Sequence, residues 1–207
     1  MKIITISREF GSGGRELGKR LADLLQFDYY DRELITAIAE KQGLDPNYVE
    51  KALEHSIKYP YPFTFRRSFT MSAAAPQSMR TELLLEQKRV IEGIAKIGRD
   101  CVIVGRNADV FLRNEQPLNL FVCADSQAKI NRCIERTTPG ETSSIKEIQR
   151  NMQRIDRNRA YSREMISGGK WGDRASYHLI VNTTHWTMKE LTPAVADFAV
   201  RWFRRTT

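Results

Sequence analysis

The chain has three cysteines with no CxxC pair, three scattered histidines, and no apolar run near the roughly 18 positions that a membrane-spanning helix needs. Each absence excludes something. No spacing among Cys101, Cys123, Cys133, His55, His178 and His185 fits a zinc site. The odd thiol count, with Cys101 and Cys123 inside apolar runs, argues for reduced cysteines packed as small hydrophobes. The start, MKIITISREF, sets one lysine before a short run and then turns charged, so it lacks the apolar stretch of a signal peptide. A cytoplasmic chain with no membrane partner is expected. No GxSxG elbow is present, so a serine nucleophile of that type is not expected, and there is no internal repeat.

What is present bounds the rest. With 207 residues, 41% hydrophobic and 28% charged, the chain suits one core-bearing domain over 1–207. Its 33 basic against 25 acidic residues give +8, which favours an anionic partner without choosing between nucleic acid, membrane and a small phosphate. A β-branched run at 2–6 leads through GSGG into leucines at Leu17, Leu21, Leu24 and Leu25, which reads as strand, glycine loop and helix. A second helix over 80–97 carries Leu83, Leu84, Gln87, Val90, Ile91 and Ile94 on one face and feeds a strand at 101–104. Further strands fall at 118–123 and 177–181, with a helix after Ser126 and a last helix carrying Leu191, Val195, Phe198, Trp202 and Phe203. Strands that are continuous apolar runs alternating with helices predict an α/β fold with a parallel sheet covered on both faces. Two stretches break the rhythm: an aromatic, Pro-containing flap over about 56–78 and a lid over about 137–173, both suited to covering a substrate.

Gly11, Ser12, Gly13 and Gly14 stand between the first strand and its helix, where main-chain N–H groups and a helix N-terminus converge on one point suited to a phosphate. Glycine alone would favour a plain tight turn. Arg8 and Arg15 flank the loop with fixed positive charge and shift the balance toward an anion site. Ser12 is expected to contact the phosphate.

Five segments in register carry a resemblance over most of the chain. TISREFGSGGRELGKRLA, FDYYDREL, MRTELLLEQKRVI with CVIVGRNAD, LNLFVCADSQAKINRCIER, and IDRNRAYSREMISGGKWGD with YHLIVNTT resemble, in order, the segments of the cytidylate kinase-like branch of the P-loop nucleoside monophosphate kinases. The resemblance implies a three-layer α/β sandwich on a five-stranded parallel sheet, with a helical lid and an acceptor flap. It also implies ATP with Mg²⁺ and phosphoryl transfer to a nucleoside monophosphate, CMP or dCMP first. Where the family's GxxGxGKGT loop has its lysine and hydroxyl, this chain has Gly14 and Glu16; Arg8 takes the place of the first glycine, and Arg15 follows the missing lysine. Arg15 or Arg8 is expected to restore the lost charge, and Glu16 to bind or orient magnesium. The family's GRD motif reads Gly105, Arg106, Asn107, so an amide replaces the carboxylate that would read a cytosine amino group.

Phosphoryl transfer needs two groups held in line and spreading charge neutralised, work suited to arginines. The expected set is Arg106 for the acceptor phosphate, with Arg132, Arg136, Arg157 and Arg159 for donor phosphates or bridging oxygens; Arg163 stays undecided. Asp31 and Arg32 either line the acceptor site or cap the following helix. Asp156 either contacts the acceptor or pairs with Arg159 at helical spacing. Trp171, before Gly172 and Asp173, anchors the lid or stacks on a base. Two rivals stand beside the kinase: a nucleotide-binding module that is catalytically weak or inactive, and, ranked last, a nucleic-acid binder built on +8 and the RRSF stretch. The aromatic flap would serve equally as a partner surface, which leaves a homo-oligomer open.

Overall fold

A computed structural model describes residues 1–31, 33–46, 77–136 and 144–205. Its strands are β1 (Ile3–Arg8), β2 (Asp28–Tyr30), β3 (Cys101–Val104), β4 (Leu118–Cys123) and β5 (Leu179–Asn182). They form one parallel sheet in the order β2-β3-β1-β4-β5. The helices are α1 (Gly14–Leu25), α2 (Glu33–Gln42), α3 (Gln77–Ile97), α4 (Ala108–Phe111), α5 (Ser126–Glu135), α6 (Ile145–Ser167) and α7 (Met188–Arg205). Among the described residues no helix is long and apolar enough to cross a membrane.

The largely apolar central strands β1, β3 and β4 have a direct cause. Successive side chains point to opposite faces, and both faces are covered. Ile3, Cys101 and Ile103 pack with Leu34, Leu83 and Ile91 on the side of α2 and α3. Ile4, Ile6, Val102, Val104, Leu118, Leu120 and Val122 pack with Leu17, Leu21, Val195 and Ala199 on the side of α1 and α7. Three layers result. Leu17 and Leu21 are fully buried, each contributing about 1.5–3 kcal/mol of transfer free energy, whereas Leu24 from the same expected stripe lies exposed.

The chain leaves β1 for β2 and β3 on one side and for β4 and β5 on the other, so the crevice at the carboxyl end of β1 is a topological switch point, where open α/β sheets place ligands. Two strand ends differ from the sequence expectation. β1 runs on to Arg8, paired with Val122, and β5 begins at Leu179 because Arg174–Ser176 forms a 3₁₀ turn ahead of it. Tyr177, expected in the strand, instead sets its ring 5.0 Å from Phe121.

Helix α6 starts on a capping box in which Ser144 and Glu147 bond each other's main chain. Its apolar anchor is small: Ile148 and Met152, packed with Ile130 and Phe10. The rest of its buried face is polar, namely Asn158, Ser162 and Arg163, so side-chain ties rather than area hold this helix over the sheet edge. The flap over 56–78 lies outside the described residues apart from the first turn of α3, and of the lid over 137–173 the part 137–143 lies outside as well. Arg32 also falls outside.

Candidate active site

The glycine turn closes the switch point. Gly11 and Gly13 hold φ of 76° and 83°, and Gly13 caps α1 without any side-chain hydrogen bond. A side chain on Gly13 would start 2.8 Å from the Met188 sulfur, in a backbone conformation that only glycine adopts at little cost. Helices α5 and α6 are closed by Asp125 and Ser144. By contrast, the first amides of α1, at Gly14, Arg15 and Glu16, meet no protein acceptor among the described residues, nor does the Gly13 amide. Four donors thus converge at the positive end of a helix dipole. The Ser12 hydroxyl, expected at the phosphate, is turned inward and donates to the Glu9 carbonyl at 2.8 Å; Ser12 is fully buried.

Arg8 does not point into this cradle. Its side chain crosses the sheet edge, so that a Cβ on Gly105 would overlap the guanidinium. There Arg8 lies 3.6 Å from Asp31, whose other oxygen takes Arg15 Nε at 2.5 Å. Burial, reinforced by Arg159, Arg106 and Arg15 and opposed by Asp31, pulls the Arg8 pKa down to about 9, which still leaves it charged at neutral pH. Asp31 is itself buried and serves as counter-ion to both arginines.

The lid helix joins the same edge. Arg159 donates to the Arg8 carbonyl and to Asp156, both at 3.0 Å, while Asp156 accepts the Phe10 amide at 2.8 Å. Of the two roles weighed for Asp156, the ion pair with Arg159 is present, and it also fastens α6 to the start of the loop. Burial raises the Asp156 carboxyl above its usual value, with Arg159 and the Phe10 amide working against that rise. At the end of β3, Gly105, Arg106 and Asn107 hold φ of 74°, 60° and 54° in succession. For an L-residue such as Arg106 this left-handed conformation costs about 1–2 kcal/mol, and Gln87 restrains it by donating to the Arg106 carbonyl at 2.9 Å. Asn107 donates to Ser162 of α6 at 3.1 Å, and Arg163 forms a buried ion pair with Asp109.

Arg8, Arg106, Arg159, Gln87, Asn107 and Asn158 line a cavity of about 60 Å³ beneath α6, closed on one side by Trp171, whose ring meets Phe121 edge-on at 5.3 Å. Three guanidinium groups and three side-chain amides around one hollow suit an anion such as a phosphate. Along the far side of α1, Arg15, Glu16, Lys19, Arg20, Tyr29 and Arg136 border a wider, open groove of about 630 Å³.

Other expected residues stand elsewhere. Arg157 is exposed, with Nε on the Gln153 carbonyl of its own helix, and does not line the cavity. Arg132 turns to the segment after β5, donating to the Thr183 hydroxyl at 3.0 Å and to the Thr183 and Trp186 carbonyls. Arg136 donates to Glu16 Oε2 at 2.8 Å, and Arg20 to Glu16 Oε1 at 2.9 Å. Glu16 therefore presents both oxygens to guanidinium groups. Its side chain is still 36% exposed, and no cluster of three metal-ligating side chains occurs among the described residues.

Sequence reasoning missed Asn158, Ser162 and Thr183 and left Arg163 undecided. The partners of Ser162, Thr183 and Arg163 lie far along the chain, and only Gln87, a polar residue on an otherwise apolar face, carried a local signal.

A family model described as the cytidylate kinase-like family matches residues 3–185. No curated protein matches the chain. Among solved structures, an uncharacterized protein from Eubacterium ventriosum ATCC 27560 is 23% identical, with 96% of this chain and 98% of that one covered and a TM-score of 0.70. Shikimate kinase from Acinetobacter baumannii, in complex with shikimate, is 12% identical over 97% and 94% of the two chains at a TM-score of 0.55. Shikimate kinase from Bacteroides thetaiotaomicron is 12% identical over 95% and 97% at 0.56. These likenesses show the fold.

Proposed function

The chain belongs to the cytidylate kinase-like family, and from that premise we propose that it moves the terminal phosphoryl group of ATP onto a nucleoside monophosphate, with CMP or dCMP the first acceptors to try. Family membership supports the coarser statement, a phosphotransferase for a nucleotide or other small molecule. The observation that carries the finer one is the pairing of an uncapped amide cradle with a buried, arginine-lined cavity at one sheet edge.

In this reading the amides of Gly13, Gly14, Arg15 and Glu16 grip the donor phosphates. Arg106, Arg159 and Arg8 hold the acceptor's phosphate, and Asn107 and Asp31 border the acceptor side. Arg15 is half exposed and pairs with Asp31 beside the open groove, so it is the cation placed to turn from that carboxylate toward the transferred group. Stabilising the spread charge of that group is the main work asked of the protein. Magnesium, when it accompanies the donor, would neutralise phosphate oxygens, and the partly exposed Glu16 carboxylate in the first turn of α1 would hold or orient it.

A coupled assay with ATP and a panel of nucleoside monophosphates tests the activity, and turnover on none of them overturns it. Arg15→Ala is expected to lower kcat by about ten- to a hundredfold, the value of one charge-assisted hydrogen bond, with the acceptor KM little changed. Unchanged turnover would take Arg15 out of this role. The second reading, a nucleotide-binding module without catalysis, is favoured by one observation: Gly14 and the doubly paired Glu16 occupy the places of lysine and hydroxyl. ATP binding in calorimetry beside an inactive panel would select it.

A further inference from the structure

We infer that Thr183 is a positioning residue for the phosphate loop and that Arg132 acts through it rather than on a phosphate. The inference rests on the reading of the loop as a polyphosphate cradle. Thr183 follows β5 and is fully buried. Its amide donates to the Cys123 carbonyl at 2.9 Å, which fixes its main chain to the end of β4. Its hydroxyl lies 2.7 Å from the Ser12 carbonyl and 3.2 Å from that of Cys123; having one proton, it gives it to the nearer oxygen. The same hydroxyl oxygen accepts from Arg132 Nη1 at 3.0 Å. Donation from a guanidinium polarises the hydroxyl and makes its own O–H a stronger donor.

The consequence follows from peptide geometry. In a trans peptide the C=O and the next N–H point in opposite directions across a rigid plane. Holding the Ser12 oxygen inward on Thr183 therefore aims the Gly13 N–H outward, into the cradle. Gly13, at φ 83°, has no side chain to resist a flip of that plane, so the direction of the amide has to be imposed from outside. Arg132 is held on three acceptors, two of them carbonyls of the segment after β5, which keeps the relay in place.

Thr183→Val keeps the side-chain shape and removes the hydroxyl. Calorimetry is expected to show roughly tenfold weaker binding of ATP, and an equal loss for inorganic tripolyphosphate, because the defect lies in the loop and not at a base. The KM for ATP should rise while that for the acceptor stays put, and Thr183→Ser should return affinity to within about twofold of wild type. If Thr183→Val does not fold, Arg132→Gln carries the test, with weaker tripolyphosphate binding expected. In a foldable double variant, Arg132→Gln should add nothing to Thr183→Val, since the two act in series. Wild-type affinity for tripolyphosphate in Thr183→Val, or in Arg132→Gln where that replaces it, overturns the inference, as does an additive loss in the double variant. Failure of the wild-type chain to bind tripolyphosphate would overturn the cradle itself and the relay with it.

Discussion

Asp109→Ala should lower the free energy of unfolding by about 3–5 kcal/mol, the cost of leaving a buried charge without its partner. For a chain of this size that moves the thermal midpoint down by roughly 10 °C. Asp109 and Arg163 are 5% and 7% exposed, and the Arg163 guanidinium also sits 5.9 Å from the Tyr177 ring. Water cannot replace the lost carboxylate cheaply at such a site. Adding Arg163→Met to Asp109→Ala should recover most of the loss, because the double change removes both charges. Urea titration of the single and double variants decides the matter; a midpoint for Asp109→Ala equal to wild type would contradict the account. The effect should extend to turnover. The ion pair ties α6 to the short helix after Arg106, and α6 also carries Arg159, so loosening it takes one wall of the cavity away from the other.

Gly13→Ala is expected to weaken ATP binding by about a hundredfold, comparable to losing a preorganised main-chain donor from an anion hole. Two costs combine at this position. The backbone conformation is left-handed, and the added methyl would start 2.8 Å from the sulfur of Met188, which is buried at the head of α7. The turn relieves both by rotating away, and that rotation redirects the amides that the cradle depends on. Circular dichroism should stay close to wild type, since the sheet and the leucine stripe of α1 are untouched. Wild-type ATP affinity in Gly13→Ala would mean that the glycine turn does not hold the donor.

The sheet was legible in the sequence because its cause is local. A strand buried on both faces is apolar at nearly every position, and the runs at 101–104 and 118–123 are the observed β3 and β4, the latter interrupted by Asn119, whose amide oxygen accepts from the Thr5 hydroxyl. The stripe of α3 was legible for the same reason, down to Gln87, whose place on that face is explained by its bond to the Arg106 carbonyl. Leu24 shows the limit: helical spacing marks a face, yet Leu24 is exposed while Ala22 and Leu25 beside it pack into the core. The site was legible only as a loop with arginines around it. Arg157 and Arg163 look equivalent in sequence, yet one faces outward and the other is buried on Asp109. That difference depends on a partner 54 positions away, which periodicity cannot report. The Arg8–Arg159 tie spans 151 positions and is hidden in the same way. Arg132 and Arg136 sit where the resemblance places donor-binding arginines, and the structure holds them on Thr183 and Glu16.

The strand that ends at the site is the middle one, hydrogen-bonded to β3 along one side and to β4 along the other, whereas β2 and β5 each border the sheet. Edge strands fray by breaking one ladder; β1 is released only when two part together. Its amide protons are therefore expected to exchange with solvent among the slowest in the molecule, which anchors the base of the phosphate loop on the strand hardest to open.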